Sequence, residues 1–214
     1  MTDTIGTATL VDWVTRFRDS IAENREWLTE LDSAIGDADH GANMSRGMTA
    51  VVDKLASATP STIDELLKSV GMTLVSSVGG ASGPLYGTLF LRMGVSAGAV
   101  AELDAAGLAA ALRAGVDGIV ARGKAEAGDK TLIDAMSPAV DALDAGVSRG
   151  AGLADATAAA AKAAAAGRDS TLPLVARKGR ASYLGERSAG HLDPGAASVT
   201  LLFDALADAV AGAS

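Results

Sequence analysis

The sequence predicts an all-α protein built from eight helices of similar length. Apolar residues recur at intervals of three, four and seven along most of the 214 residues, which places them on one face of a helix. No alternating run of β-branched residues is long enough to predict a strand. Only 3 % of the residues are aromatic while 49 % are hydrophobic, so the core has to consist of alanine, leucine, valine and methionine. The length and the lack of a linker predict one domain over 1–214.

The first four helices are expected over 8–31, 42–57, 60–78 and 84–98. One face of the first helix holds the apolar residues Leu10, Val14, Phe17, Ile21, Leu28 and Leu31. The inner side of the second is expected to carry Met44, Met48, Val51 and Leu55. The third begins after a proline, and Thr62 with Glu65 has the spacing of a capping box.

The last four helices are expected over 103–122, 132–149, 151–166 and 194–212. Thr131 and Asp134 have the spacing of a helix cap. The alanine-rich run 158–166 is interpreted as helix, because alanine is the best helix former and its small side chain allows close packing. Asp193 followed by Pro194 is typical of an N-cap and the first helical position.

Three connections interrupt this pattern, at 32–41, 79–87 and 167–193. They hold much of the excess glycine, since the chain has 25 glycines, about 12 % against an average of about 7 %. The third connection is a stretch of about 27 residues without a clear helix. Loops of that length in compact domains are often lids or binding loops, so a site is expected where these connections meet.

The first connection carries Asp32, Asp37, Asp39 and His40 within nine residues. Carboxylates held this close repel one another, and a hard cation with oxygen ligands offsets that repulsion. Because the chain has no cysteine and only two histidines, Mg²⁺ is favoured over Zn²⁺. The alternative is that these aspartates only cap helices and fill a polar turn.

The other two connections carry features of anion sites. Residues 79–84, with the sequence GGASGP, precede a helix whose N-terminal N–H groups could bind a phosphate, with Ser82 as a further donor. The third connection collects Arg177, Lys178, Arg180 and Arg187 in a chain of net charge −8. The alternatives are a flexible or closely packed glycine loop and a solvated surface loop. Taken with the aspartates, these features predict a Mg²⁺–nucleotide site.

Composition excludes several other classes of protein. The absence of cysteine excludes disulfides, thiolate zinc, iron–sulfur clusters and a cysteine nucleophile. The acidic balance, 18 Lys+Arg against 26 Asp+Glu, argues against nucleic-acid binding. No charge-free apolar run reaches the length of a membrane span, and the first ten residues do not have the pattern of a signal peptide. A cytoplasmic protein without membrane contact is therefore expected. The run GIVARGK at 118–124 is rejected as a P-loop, because helix precedes it and alanine follows it.

Four segments together resemble one family. They are IGDADHGANMSRGM at 35–48, GGASGPLYG at 79–87, RGKAEAGDKT at 122–131 and RKGRASYLGERSAGHLDPGA at 177–196. In this order they are similar to the nucleotide-binding L subunit of bacterial dihydroxyacetone kinases, and the resemblance covers essentially the whole chain. It implies an eight-helix antiparallel, up-and-down barrel with the nucleotide site at one end.

The resemblance also implies the ligands and the residues that hold them. Two Mg²⁺ ions would be bound by Asp32, Asp37 and Asp39. ADP or ATP would be contacted by His40, Gly41, Ala42, Asn43, Ala81, Ser82, Gly123, Leu132, Arg180, Asp193, Pro194 and Gly195. No residue is implied as a catalytic acid or base, because the chemistry would take place on the metal-bound nucleotide.

The resemblance further implies partners. A separate K subunit would hold dihydroxyacetone as a hemiaminal on a histidine and dock over the nucleotide end. In one version of the family a phosphohistidine protein of the sugar phosphotransferase system rephosphorylates the bound ADP. In the other version ATP exchanges freely. A free-standing chain of this length favours the first, and a homodimer is left open.

Four alternatives remain open at this stage. Two keep the fold: an ATP-dependent kinase subunit for another small ketose, and a nucleotide domain like that of fatty-acid kinase. The other two are a Mg²⁺-dependent phosphohydrolase that acts alone and a nonenzymatic nucleotide-loaded regulator.

Overall fold

Helices account for most of the computed structural model, which describes residues 4–57 and 60–213. In chain order the described elements are β1 (Thr4–Gly6), α1 (Thr7–Glu23), α2 (Arg25–Ile35), α3 (His40–Ser57), α4 (Ile63–Ser77), α5 (Ser82–Ala97), β2 (Glu102–Asp104), α6 (Ala105–Gly123), α7 (Ile133–Ser148), α8 (Leu153–Ser170), a 3₁₀ helix (Arg180–Ser188) and α9 (Pro194–Gly212). The predicted all-α class is confirmed. The prediction of one domain over 1–214 includes residues 1–3, 58, 59 and 214, which lie outside the described part.

Eight of the helices pack in a closed cyclic order. Each helix from α3 to α8 packs against the next one along the chain, α9 returns to α1, and α1 packs against α3. Helix α2 lies outside this ring, against α3 and α9. A ring of eight helices is the packing order that the predicted barrel requires.

The interior of the ring is filled by apolar side chains, and aromatic pairs cross it. Trp13 and Phe17 on α1 meet Phe90 and Tyr86 on α5, with ring centroids 5.6 Å and 6.1 Å apart. These four side chains are among the largest fully buried ones in the described chain. Since α1 and α5 are not neighbours in the ring, the two pairs reach across part of its interior. Four of the seven aromatic residues are thus placed where a wide interior needs large side chains, whereas Tyr183 is exposed.

The first predicted helix is wrong in its length, because the chain breaks at Asn24 into α1 and α2. The backbone N–H and side-chain amide of Asn24 both donate to the carbonyl of Ser20, at 3.1 Å and 2.9 Å. Asparagine competes with helical hydrogen bonding in this way. The break takes α2 out of the ring, so Asp32 at its end lies near the start of α3.

Other differences from the predicted elements are local. The antiparallel ribbon of β1 and β2 was not predicted, because each strand has only three residues and pairs with a distant segment. The connection 167–193 is shorter than expected, since α8 continues to Ser170 and a 3₁₀ helix lies within it. Thr62 occupies the predicted N-cap position, but its hydroxyl donates to Asp64 instead of forming the capping box. The cap at Asp193 is confirmed by its bond from the N–H of Ala196.

Among the described residues, α9 is the one helix long and apolar enough by composition to cross a membrane. Of its most apolar window, 61 % is buried inside the protein.

Candidate nucleotide and metal site

A cavity of about 370 Å³ lies at one end of the helical ring. Its walls come from the connections that precede α3, α5, α7 and α9. Alternate connections therefore meet at one end, as up-and-down helices require. The first residues of α3, α5 and α9 all line the cavity, and these are His40, Ser82 and Pro194. Helix N-termini carry free N–H groups and partial positive charge, so the cavity favours an anion.

The acidic wall of the cavity is formed by Asp32, Asp37 and Asp39. One carboxylate oxygen from each lies within 4.8 Å of those of the other two. Asp32 Oδ2 accepts the N–H groups of Asp39 at 2.8 Å and His40 at 3.1 Å, which folds the connection back over the end of α2. Three clustered carboxylate oxygens are the donor set that a hard divalent cation prefers, so the predicted Mg²⁺ fits these residues.

Glycine at position 36 is required by the Asp32 carboxylate. A Cβ at this position would lie 2.0 Å from Asp32 Oδ1 and 3.0 Å from the Asp32 carbonyl oxygen. Any side chain would therefore displace the carboxylate that organises the turn.

The basic side of the cavity comes from the connection between α8 and α9. Arg180 Nε lies 2.8 Å from Asp37 Oδ2, so the 3₁₀ helix is joined to the acidic wall. Lys178 also lines the cavity, whereas Arg177 and Arg187 are exposed and do not line it. The predicted basic cluster is thus divided between the cavity and its surroundings.

The Lys130 side chain, from the segment before α7, forms hydrogen bonds to this connection. Its Nζ donates to the carbonyl oxygens of Thr171 at 2.9 Å, Leu174 at 3.1 Å and His191. Only 1 % of the residue is exposed, and burial lowers the pKa of its ammonium. All three donors of the ammonium are used by backbone oxygens, so Lys130 positions the segment that carries Arg180 and Asp193.

Asp193 caps α9 inside the cavity wall. Burial raises the pKa of its carboxyl to about 7, with the neighbouring Asp134 and Asp32 acting in the same direction. Its own N–H donates to Thr171 Oγ1 at 3.0 Å, which ties the cap to the end of α8.

His40 joins three helices at the floor of the cavity. Its Nδ1 lies 3.1 Å from Ser82 Oγ and its Nε2 lies 2.9 Å from Ser198 Oγ. The Ser198 hydroxyl also contacts Tyr86 OH at 2.8 Å. Burial lowers the pKa of the imidazole, which favours the neutral ring.

Most of the residues predicted to contact metal or nucleotide lie on this one cavity. Those that line it are Asp32, Asp37, Asp39, His40, Ala81, Ser82, Leu132, Arg180, Asp193, Pro194 and Gly195. Gly41, Ala42, Asn43 and Gly123 are not part of its wall.

Three of the predicted residues that do not line the cavity, Gly41, Asn43 and Gly123, lie close to parts of its wall or to α2. Gly41 faces α2, where a Cβ would lie 2.0 Å from the Arg25 carbonyl oxygen. Asn43 is packed against the glycine segment, because a Cβ at Gly79 would lie 2.9 Å from Asn43 Oδ1. Gly123 lies near Leu85, which does line the cavity.

The sequence prediction missed several residues of the wall. The apolar side chains Ile35 and Leu85 line the cavity together with the predicted Leu132. Thr131 and Lys130 belong to a segment already noted at 122–131, but no local pattern showed that they reach the cavity. Their signal was that segment's place among the four family-like motifs.

The fold and the cavity together define a class: a helical domain whose end cavity combines a cluster of carboxylates with helix N-termini that favour an anion. The family model described as the DAK2 domain matches residues 34–208. The chain belongs to this family, within the group of dihydroxyacetone kinase L subunits.

Curated relatives support this assignment over nearly the whole chain. The ADP-binding subunit DhaL of the PEP-dependent dihydroxyacetone kinase of Escherichia coli K12 is 48 % identical over 198 residues, covering 92 % of this chain and 94 % of the relative. The ADP-binding subunit DhaL of the PTS-dependent dihydroxyacetone kinase of Lactococcus lactis is 44 % identical, covering 95 % and 97 %. D-erythrulose kinase of Mycolicibacterium smegmatis is 34 % identical, covering 90 % of this chain but 33 % of the relative.

A solved structure shares the fold. The dihydroxyacetone kinase of C. freundii in complex with AMP-PNP and Mg²⁺ superposes with a TM-score of 0.73 at 26 % identity. The match covers 97 % of this chain and 35 % of that chain.

Proposed function

We propose that this chain is the ADP-binding subunit of a dihydroxyacetone kinase and transfers a phosphoryl group to dihydroxyacetone held by a separate K subunit. The observation that carries the proposal is the meeting of three aspartates, Arg180 and three helix N-termini on one cavity. That arrangement supplies oxygen ligands for cations on one side and N–H donors for phosphate on the other.

Each wall of the cavity has a task in this proposal. Asp32, Asp37 and Asp39 would hold two Mg²⁺ ions, which when bound neutralise charge on the phosphates during transfer. The N–H groups at the start of α5 and the Ser82 hydroxyl would bind phosphate oxygens, and Arg180 would bridge metal ligands and phosphate. The apolar side chains Leu85 and Leu132 would lie against the nucleoside.

The remaining predicted residues would support or shape the nucleotide site, some from the cavity wall and some from behind it. His40 would hold Ser82, and Asn43 would hold the glycine segment. Gly41, Ala42 and Gly123 would shape the backbone near the nucleotide. Asp193, Pro194 and Gly195 would present the N-terminus of α9 to it.

The phosphoryl donor is proposed to be a phosphohistidine protein of the phosphotransferase system. Relatives named as PEP- or PTS-dependent subunits are 43–48 % identical and match over most of their own length. Relatives named as erythrulose kinases are 34–36 % identical, and this chain matches about a third of each. Those identities favour dihydroxyacetone over another ketose, which stays the second candidate. A cytoplasmic location and a homodimer stay predictions.

The metal site can be tested through ADP retention. Asp37→Ala and Asp39→Ala should each abolish Mg²⁺-dependent retention of ADP in equilibrium dialysis. Asp53→Ala is the matched control, because Asp53 is an exposed aspartate on α3 and does not line the cavity. Undiminished ADP binding in both cavity variants would refute the assignment of the metal ligands.

The reaction can be tested by reconstitution with a K subunit and dihydroxyacetone. Product is expected with phosphoenolpyruvate and phosphotransferase proteins, and not with ATP alone. Turnover of dihydroxyacetone by this chain without a K subunit would refute the split arrangement, and phosphate release without any partner would favour a hydrolase.

A further inference from the structure

A chain of four hydrogen-bonded side chains runs from the buried core to the cavity. Tyr86 OH lies 2.8 Å from Ser198 Oγ, which lies 2.9 Å from His40 Nε2, and His40 Nδ1 lies 3.1 Å from Ser82 Oγ. Tyr86 and Ser198 are almost completely buried, whereas Ser82 lines the cavity. The chain therefore has one closed end, at Tyr86, and one end open to a ligand.

The direction of the hydrogen bonds in this chain has two consistent solutions. In the first, Ser198 donates to the Gly195 carbonyl at 3.0 Å and accepts from His40 Nε2–H, so His40 Nδ1 accepts the proton of Ser82. In the second, Ser198 donates to Nε2, and Nδ1–H donates to Ser82. Tyr86 donates to Ser198 in both, because a serine hydroxyl has one proton and two lone pairs.

The two solutions present different groups to the cavity. In the first solution, Ser82 donates its proton to the imidazole, so only the lone pairs of its oxygen are available to a ligand. In the second, Ser82 accepts from the imidazole and its own proton is free to donate. A phosphate oxygen only accepts hydrogen bonds, so it is compatible with the second direction alone.

The cost of the second direction is small. Ser198 gives up its bond to the Gly195 carbonyl, but that oxygen lies in the first turn of α9 and has the backbone N–H four residues later as its helical donor. Every buried polar group of Tyr86, Ser198 and His40 then still has a hydrogen-bond partner, and the net charge of the imidazole does not change.

We propose that Ser198, held in place by Tyr86, is a positioning residue that fixes His40 as the Nδ1–H tautomer in the nucleotide complex and so orients the Ser82 hydroxyl as a donor to phosphate. The inference deepens the proposed function and rests on it, since it requires a phosphate at Ser82. Ser198 is 116 residues beyond Ser82 along the chain and acts on the ligand only through His40.

The tautomer can be observed directly by ¹⁵N NMR of the unmodified protein. The chain has two histidines, so a His191→Gln variant identifies the His40 signals. With Mg²⁺ and ADP bound, Nδ1 should be protonated and Nε2 should be the unprotonated nitrogen. A ring that carries a proton on Nε2 in that complex, alone or with Nδ1, would overturn the inference.

A double-mutant cycle on ADP affinity tests whether Ser198 acts through Ser82. Ser82→Ala should weaken binding about tenfold or more, since a hydrogen bond to a charged group is lost. Ser198→Ala should weaken it several-fold in the native background and have no further effect when combined with Ser82→Ala. Independent, multiplicative losses would mean that Ser198 supports only the fold, and the inference would fail.

A second variant guards against misfolding of Ser198→Ala. Tyr86→Phe keeps the ring and removes only the donor to Ser198, so it should fold, with a smaller loss of affinity that again disappears in the Ser82→Ala background. Failure of the native protein to bind ADP at all would refute the proposed function. Binding with the Nε2–H tautomer or an additive cycle would refute the positioning role alone.

Discussion

Lys130→Met tests whether the connection between α8 and α9 is held in place by a single ammonium group. Methionine keeps the length of the side chain and removes the charge and the donors. Three carbonyl oxygens, those of Thr171, Leu174 and His191, then lose the hydrogen bond that Lys130 supplies. All three belong to the connection, while Lys130 belongs to the segment before α7.

The size of the free-energy loss depends on whether those carbonyl oxygens find other hydrogen-bond donors. The Thr171 carbonyl keeps the backbone N–H of Leu174 at 3.1 Å, so the carbonyls of Leu174 and His191 are the two that lose their donor. A buried acceptor left unpaired costs about 1–3 kcal/mol, so the two together give an upper range of about 2–6 kcal/mol. The chain regains part of this cost because an ammonium that is 1 % exposed no longer has to be desolvated. Leu172 and His191 are exposed, so the connection can also hydrate its carbonyls by moving away. We therefore expect a loss of about 3 kcal/mol in the free energy that keeps the connection closed.

The ring itself should survive this substitution. Typical domains have an unfolding free energy of about 5–15 kcal/mol. The Lys130 ammonium bonds only to carbonyls of the connection between α8 and α9, and none of the helices of the ring loses a hydrogen bond. Opening of the connection displaces Arg180, so ADP affinity should fall by about tenfold for each 1.4 kcal/mol lost.

Limited trypsin digestion measures the opening. Arg177, Arg180 and Arg187 are exposed cleavage sites within the connection, and cleavage there should be much faster in Lys130→Met than in the native chain. Lys124→Met is the control, since Lys124 is an exposed lysine in the segment between α6 and α7. Cleavage rates and ADP affinity within twofold of the native values in Lys130→Met would refute the reasoning.

Two further predictions concern the cavity wall. Because burial raises the pKa of Asp193 to about 7, the folded state prefers the neutral acid. Its stabilising contribution is complete below about pH 4 and is lost as pH rises through 7; urea unfolding should show the native chain losing stability relative to Asp193→Asn over that interval, and a constant difference would contradict this. Gly36→Ala places a Cβ 2.0 Å from Asp32 Oδ1, so Mg²⁺-dependent ADP binding in dialysis should be lost. Gly212→Ala, whose Cβ meets only Arg16 at 3.6 Å, should bind normally, and equal binding by both would contradict the clearance argument.

The helices were predictable because their signal is local. Periodicity over 15 or more residues identified α3, α4 and α9 nearly to their ends, and Asp193 with Pro194 marked the start of α9 correctly. The break at Asn24 has no such signal, since the apolar period continues through it into α2. What decides the break is packing: α2 leaves the ring to lie against α3 and α9, and only the three-dimensional structure contains that information.

The sequence predicted most of the residues that meet on the cavity, but not the contacts that hold them in place. The sequence showed only that glycine is enriched in the three connections, whereas at Gly36 the structure adds the reason, which is the nearby Asp32 carboxylate. His40 was predicted as a nucleotide contact, but its partner Ser198 lies 158 residues further along the chain and carries no motif of its own. Lys130 has three acceptors between 41 and 61 residues away. Local sequence patterns report which groups can touch a ligand. The groups that hold them in position are chosen by helix packing, and a single sequence does not record which helices meet.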